Sequence, residues 1–198
     1  VITAVLGRAD ARLAAEREEA AGEVLNQLAK THPDLADVQL SHADTLRRLE
    51  RFEEAALAYD RAIVLLGEPE RRHWSVYYSR GISLERTARW EEAERDFRLA
   101  LELEPEQPQV LNYLGYSLVE MKIKLDEALD MIERAVAGRP DDGYITDSLG
   151  WVLYRLGRYD EAVGHMERAA ELTPVDPIIN DHLGDVYWAV GRQLEAQF

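Results

Sequence analysis

Cysteine is absent from the 198 residues. That excludes disulfides, thiolate metal sites and a cysteine nucleophile at once, and leaves the compartment open, because a cysteine-free chain persists in either redox environment. Lysine is nearly absent. Lys30, Lys122 and Lys124 are the only three among 23 basic residues, an arginine excess that reads as the mark of a GC-rich genome. Positive charge is short overall, with 38 acidic residues giving a net charge of -15; such a chain repels phosphate backbones, which argues against nucleic acid as a partner. No apolar run approaches the roughly 18 residues of a membrane span, so no transmembrane segment is expected. The chain opens on Val1 rather than Met and carries no signal-like segment, which reads as a processed form or a fragment whose targeting information is elsewhere.

Chemistry is missing as well. The five histidines (His32, His42, His73, His165, His182) show no metal-ligand spacing, and no His-Glu-x-x-His, phosphate-cradling glycine loop or Gly-x-Ser-x-Gly elbow occurs. Asp141-Asp142-Gly143 lacks the ladder of oxygen ligands of a calcium loop and reads as a linker turn with a helix cap. Acid pairs such as Glu91-Glu92 and Asp160-Glu161 fall where helices should open, at the positive end of the helix dipole. No catalytic residue, metal or cofactor is expected.

What the sequence does have is a period. Gly81, Gly115, Gly150 and Gly184 lie 34, 35 and 34 residues apart, and Ala93, Ala128, Ala162 and Ala196 follow them by twelve or thirteen. Ala55 extends the alanine series backwards, with Ala43 at the place of its glycine, and Pro105, Pro140 and Pro174 close three units. The spacing predicts two amphipathic helices of about 12–16 residues per unit, a first (A) and a second (B), joined by turns such as Leu156–Tyr159. Small glycine and alanine positions let A and B approach. Leu84, Leu118, Leu153 and Tyr187 on A, with Tyr59, Phe97, Ile132 and Met166 on B, fill the space between. One unit cannot bury both faces alone, so units must stack.

These residues resemble the tetratricopeptide repeat, a helix-turn-helix unit of 34 residues. The stretch 143–176 matches through Leu149, Gly150, Leu153, Ala162, Met166, Ala169 and Pro174. The stretch 74–107 matches through Tyr77, Gly81, Leu84, Ala93, Phe97, Ala100 and Pro105, with Arg80 in place of the usual Leu. The stretch 108–142 matches with one residue inserted in its turn, Met121-Lys122-Ile123-Lys124. At 36–67 the unit ends on Gly67 instead of proline and is followed by four extra residues; 2–31 reads as a divergent opening pair, and 177–198 as a truncated last unit whose A helix is left unshielded. The resemblance implies an all-α fold: one right-handed superhelical solenoid over 1–198, built from about five to six stacked antiparallel helix pairs.

It also implies where a ligand would lie. The second, fifth, ninth and twelfth positions of each A helix face a concave groove: Ser75, Tyr78, Ile82 and Glu85; Gln109, Asn112, Tyr116 and Val119; Tyr144, Asp147, Trp151 and Tyr154; Ile178, Asp181, Asp185 and Trp188, with Leu40 and Asp44 in the unit 36–67. The candidate partner-binding set is Tyr78, Asn112, Tyr116, Tyr144, Asp147, Trp151, Tyr154, Asp181, Asp185 and Trp188. Its aromatics suit a binding hot spot, although packing between helices is open for each of them. Some family members grip a carboxylate with Lys, Asn and Arg at groove positions. Here aspartates stand there and only Asn112 survives, which disfavours acidic tails.

Charge sharpens the point: residues 1–100 carry net -4 and residues 101–198 net -11. The partner implied is a protein or peptide with apolar and basic side chains, and the role a non-catalytic interaction scaffold. The stretches 149–159 and 181–192 are also similar to bacterial envelope adaptors of this family, some of them periplasmic lipoproteins that serve proteases or assembly machines. Two alternatives stay open: a regulatory arm of a larger enzyme, and self-association through the last repeat.

Overall fold

The computed structural model describes residue 17 and residues 19–197. Residues 2–16 of the expected opening pair, and Phe198, lie outside the described residues. Residues 19–31 are helical (α1). Nine further helices follow: α2 (Ala36–Arg48), α3 (Phe52–Leu66), α4 (Trp74–Arg86), α5 (Trp90–Leu103), α6 (Pro108–Glu120), α7 (Leu125–Gly138), α8 (Gly143–Arg155), α9 (Tyr159–Leu172) and α10 (Pro177–Ala189). The described residues contain no strand. The class is all-α, as the periodicity requires, and consecutive helices pack as the pairs α2/α3, α4/α5, α6/α7 and α8/α9.

The helix boundaries follow from local chemistry. Pro108 and Pro177 occupy the first turns of α6 and α10, where a missing N–H costs nothing and the fixed φ suits a helix. Asp142 caps α8 by accepting from the backbone N–H groups of Tyr144 and Ile145, and Asp176 caps α10 in the same way through Ile178 and Ile179. Glu91-Glu92 and Asp160-Glu161 do open B helices α5 and α9. Gly67 ends α3 at φ 75°, doing there what proline does elsewhere. The extra residues after it hold a single 3-10 turn, Arg71–His73, that leads into α4. The A–B turns each need one left-handed residue: Glu50, Ala88, Gly157 and Gly191. The lengthened turn before α7 uses two, Lys122 at φ 58° and Lys124 at φ 49°.

The described residues form two compact units, divided between Glu104 and Pro105. In the first, α2 packs on α3, α3 on α4 and α4 on α5, while A helices α2 and α4 also touch. Helix α1 docks on α2: the buried Gln39 amide donates to the Ala29 carbonyl at 3.1 Å. The core is Ala43, Leu46, Ala55, Ala58 and Tyr59, continued by Leu84, Ala93, Phe97 and Ala100. In the second unit, α6 packs on α7, α7 on α8, α8 on α9 and α9 on α10, and the A helices α6, α8 and α10 contact one another in sequence. Leu111, Leu114, Leu118, Ile132, Leu153, Met166, Ile179 and Val186 are its buried centre.

The glycine column shows why the period exists. A Cβ at Gly81 would lie 2.6 Å from the Phe97 ring, one at Gly115 2.7 Å from Ile132, and one at Gly150 2.8 Å from Met166. Each A helix therefore touches the large residue of its own B helix through a missing side chain. At Gly184 the nearest atom would be the Ala196 carbonyl at 3.7 Å, because only the 3-10 turn Glu195–Gln197 stands where a B helix would.

Candidate functional site: the A-helix face

In the first unit, Tyr78 on α4 is half-buried between two aromatic neighbours, its ring 6.3 Å from Trp74 and 6.1 Å from Phe97. Burial pushes its hydroxyl pKa up. Asp44 accepts from the Tyr59 hydroxyl at 2.5 Å, and Arg47 donates to the same oxygen at 3.3 Å. This part of the face is tied up in contacts of its own unit.

The second unit gathers most of the candidate set. Asn112 and Tyr116 stand one turn apart on α6, followed by Glu120. Asn112 Oδ1 is buried and has no hydrogen-bond partner among the described residues. The Tyr116 hydroxyl is pushed up to about 12, first by burial and then by the carboxylates of Glu120 and Asp147. On α8, Trp151 is only 7% exposed. Its Nε1–H donates to Glu120 Oε1 at 2.9 Å, Tyr154 stacks on it at 4.9 Å, and the Arg155 guanidinium stands 5.5 Å from its ring centre. The other indole neighbour comes from α10: His182 lies parallel to it at 4.0 Å. Asp147 is buried too, and both its oxygens lie 3.0–3.1 Å from His182 Nδ1. A carboxylate can only accept, so Nδ1 carries the hydrogen and donates.

Asp147 therefore spends its oxygens on α10, and Trp151 its N–H on α6 and its ring on Tyr154 and His182. The exposed members are Tyr144 at 59% and Trp188 at 58%, together with Asp181 and Asp185. Tyr144 bonds Asp176, whose charge raises its hydroxyl pKa. Tyr154 is half-buried and feels the charge of Asp185, so α8 and α10 meet along this line. Ile178, 59% exposed, extends the α10 surface.

Reading the sequence by groove positions misses Glu120, Arg155 and His182. Each sits beside a groove position, and the missed signal is a polar residue at the point where one A helix turns toward the next. Among the described residues no group of three or more His, Asp or Glu side chains could hold a metal ion, and no described helix is long and apolar enough to cross a membrane.

Comparison with known proteins agrees with the repeat geometry. The tetratricopeptide repeat family model matches residues 40–108 and 123–177. A TPR repeat-containing protein of Pseudomonas aeruginosa is 31% identical over 158 residues, 79% of this chain and 26% of the relative. The chain thus spans about a quarter of the length of that curated relative. Among solved structures, YrrB, described as a TPR protein with an unusual peptide-binding site, aligns with a TM-score of 0.67 at 23% identity over 88% of each chain. A tetratricopeptide repeat protein from Parabacteroides merdae aligns with a TM-score of 0.75 at 18% identity, covering 93% of this chain and 72% of that one. Two matched segments, one register and one stacking pattern lead to the same conclusion: the chain belongs to the tetratricopeptide repeat family.

Proposed function

We propose that the chain is a non-catalytic protein-interaction module whose A-helix face in residues 105–198 takes a partner segment bearing apolar and basic side chains. The observation that carries this reading is the composition of the exposed part of that face. Tyr144, Ile178 and Trp188 are each more than half exposed, Asp181 and Asp185 stand among them, and α10 contains no Lys or Arg. Exposed aromatics provide contact area at low entropy cost, and carboxylates around them select against acidic partners. Trp151, Asp147 and Tyr116 act as the floor that holds these residues in place, and Tyr78 and Asn112 serve their own units. The family and fold are generally those of protein-interaction scaffolds, and a peptide-binding site on a TPR protein is named for YrrB. An adaptor role within a longer polypeptide, as in bacterial envelope assemblies, fits such a module.

A peptide array tests the proposal. Basic–apolar segments should be captured by the wild-type chain and lost on Y144A/W188A while helicity is retained. Preferential capture of acidic tails, or capture indifferent to the double variant, would sink it.

A further inference from the structure

One position of the repeat changes character along the chain. His42, Arg80, Leu114 and Leu149 each precede the small residue of their A helix, Ala43, Gly81, Gly115 and Gly150, and the two leucines are buried as the pattern requires. Arg80 is a cation with carboxylates built for it, Asp96 on its own B helix and Asp60 on the B helix before. His42 lacks that provision. The place of Asp96 is taken by the fully buried Ala58. His42 is 6% exposed, and its Nδ1 has no hydrogen-bond partner among the described residues.

By the register of Arg80, His42 faces α1 and α3. The charged groups whose fields reach it agree: Lys30 on α1, Arg51 in the turn before α3, and Glu54 and Arg61 on α3. Glu54, the one acid of the four, is already forked by Arg51 at 2.7 and 2.6 Å. Burial first, then the cations of Arg61 and Arg51, hold the imidazole pKa below the ordinary histidine value. The ring is therefore neutral in the fold, and a proton added to it becomes a buried charge among cations.

Helix α1 is the element that this charge pushes away. Helices α2 and α3 share the core of Ala43, Leu46, Ala55, Ala58 and Tyr59, and the Tyr59 hydroxyl donates to Asp44 across them. Among the described residues α1 is held more lightly. One turn before His42, the Gln39 amide donates to the Ala29 carbonyl of α1 at 3.1 Å and accepts from Arg61 at 3.2 Å. A Cβ at Gly22 would lie 3.1 Å from Leu49, while Val24 and Leu28 of the same helix stay exposed.

We propose that His42 is a proton-operated latch: neutral, it lets α1 close on α2 and α3, and protonated, it releases α1 while the rest of the N-terminal unit stays folded. The latch is independent of the A-helix face of residues 105–198. Linkage fixes its direction. A histidine whose pKa is depressed in the closed state takes its proton more readily once the site opens, so closure weakens as pH falls through the ordinary histidine value and levels off below the closed-state value.

The test is hydrogen–deuterium exchange of the full chain, read by mass spectrometry and corrected for the intrinsic pH dependence of exchange. It spans about pH 7.5 to about pH 5.5, the interval in which a histidine takes its charge. Protection of residues 19–31 should fall by up to about tenfold per pH unit, the limit for one linked proton, while peptides from α4 and α5 keep theirs. His42→Leu, which supplies the leucine of the later repeats, should hold α1 equally across the range. The His42 imidazole signal, identified in NMR spectra by its absence from that variant, should titrate below the ordinary histidine value. Acid loss of α1 protection that persists in His42→Leu overturns the proposal. Should that variant not fold, the wild-type chain decides alone: α1 protection that ignores pH, loss shared equally by α1, α4 and α5, or a His42 that titrates at the ordinary value each overturns the latch.

Discussion

His182 and Trp151 lie ring against ring with centroids 4.0 Å apart, and the same imidazole is the hydrogen-bond donor to Asp147. Asp147 and His182 side chains are only 7% and 10% exposed. Substituting His182→Ala removes the stack and strands a buried carboxylate without its donor, and should lower the stability of the C-terminal unit by about 2 kcal/mol. In D147A/H182A no charge is stranded, so the double variant should lose less than the sum of the two single ones. Urea denaturation followed by circular dichroism measures both. A loss below about 0.5 kcal/mol for His182→Ala, the range of an ordinary surface change, would show that the step is held by apolar packing alone.

The glycine column gives an asymmetric forecast. Gly81→Ala drives a methyl into the rigid Phe97 ring and Gly115→Ala into Ile132, with contacts of 2.6 and 2.7 Å before relaxation. Each should cost about 1–3 kcal/mol, as overpacking does. Gly150→Ala should cost less, because the neighbour there is the flexible Met166 chain. At Gly184 the methyl would meet only the Ala196 carbonyl at 3.7 Å, an ordinary van der Waals contact, so the helix preference of alanine should show through as a gain of up to about 1 kcal/mol. Thermal melts of the four variants decide it, and equal effects at Gly81 and Gly184 would contradict the packing.

The contrast between those two glycines also shows what could be read from the chain alone. The period of 34, the small-residue column and its large partners are local and repeated, so helix pairs, their register and the close A–B approach follow from the letters. Which groove positions remain open does not. Trp151 is the ninth position of α8 and Trp188 the twelfth of α10, both groove positions by the pattern, yet one is buried and the other more than half exposed. Trp151 is covered by His182, a residue on the next A helix that no repeat pattern specifies. Arg80 is similar. It departs from the leucine of the pattern, and its two carboxylate partners come from helices on either side.

Four arginines open B-type segments by forking the glutamate three residues on: Arg51 with Glu54, Arg89 with Glu92, Arg158 with Glu161 and Arg192 with Glu195. The arginine hydrogen bond holds each of these carboxyls below the usual glutamate range. A carboxyl depressed in the folded state contributes stability above its unfolded pKa and loses that contribution as pH falls through the folded value. Replacing Glu54, Glu92 and Glu161 together by Gln should therefore lower stability at neutral pH and flatten its decline on acidification. Denaturation midpoints across the acid range provide the measurement, and an unchanged slope would mean that the forks add nothing to the fold.

Arg80 donates to both oxygens of Asp96 at 2.6 and 2.7 Å and to Asp60 at 2.8 Å. It thereby joins α3, α4 and α5. The Asp96 side chain is 7% exposed, and burial holds its carboxyl pKa above the usual range even against the attraction of Arg80. Arg80→Leu restores the leucine of the repeat pattern, yet it should destabilise the N-terminal unit by about 3 kcal/mol, because an unpaired carboxylate is left inside. Without the guanidinium the Asp96 pKa rises further, so the deficit should shrink as pH falls through it: protonation removes the buried charge only in the folded state that suffers from it. The next repeat supplies the compensating change. Leu114 and Met131 occupy the places of Arg80 and Asp96 there, and both are buried. R80L/D96M imports that apolar pair and should return stability to within about 1 kcal/mol of the parent or exceed it, as replacement of buried ion pairs often does. Urea denaturation at neutral and mildly acidic pH separates the cases. A single Arg80→Leu variant as stable as the parent would show that the triad is incidental, and a double variant no better than the single one would show that Asp60 or the backbone at α3 depends on Arg80 directly.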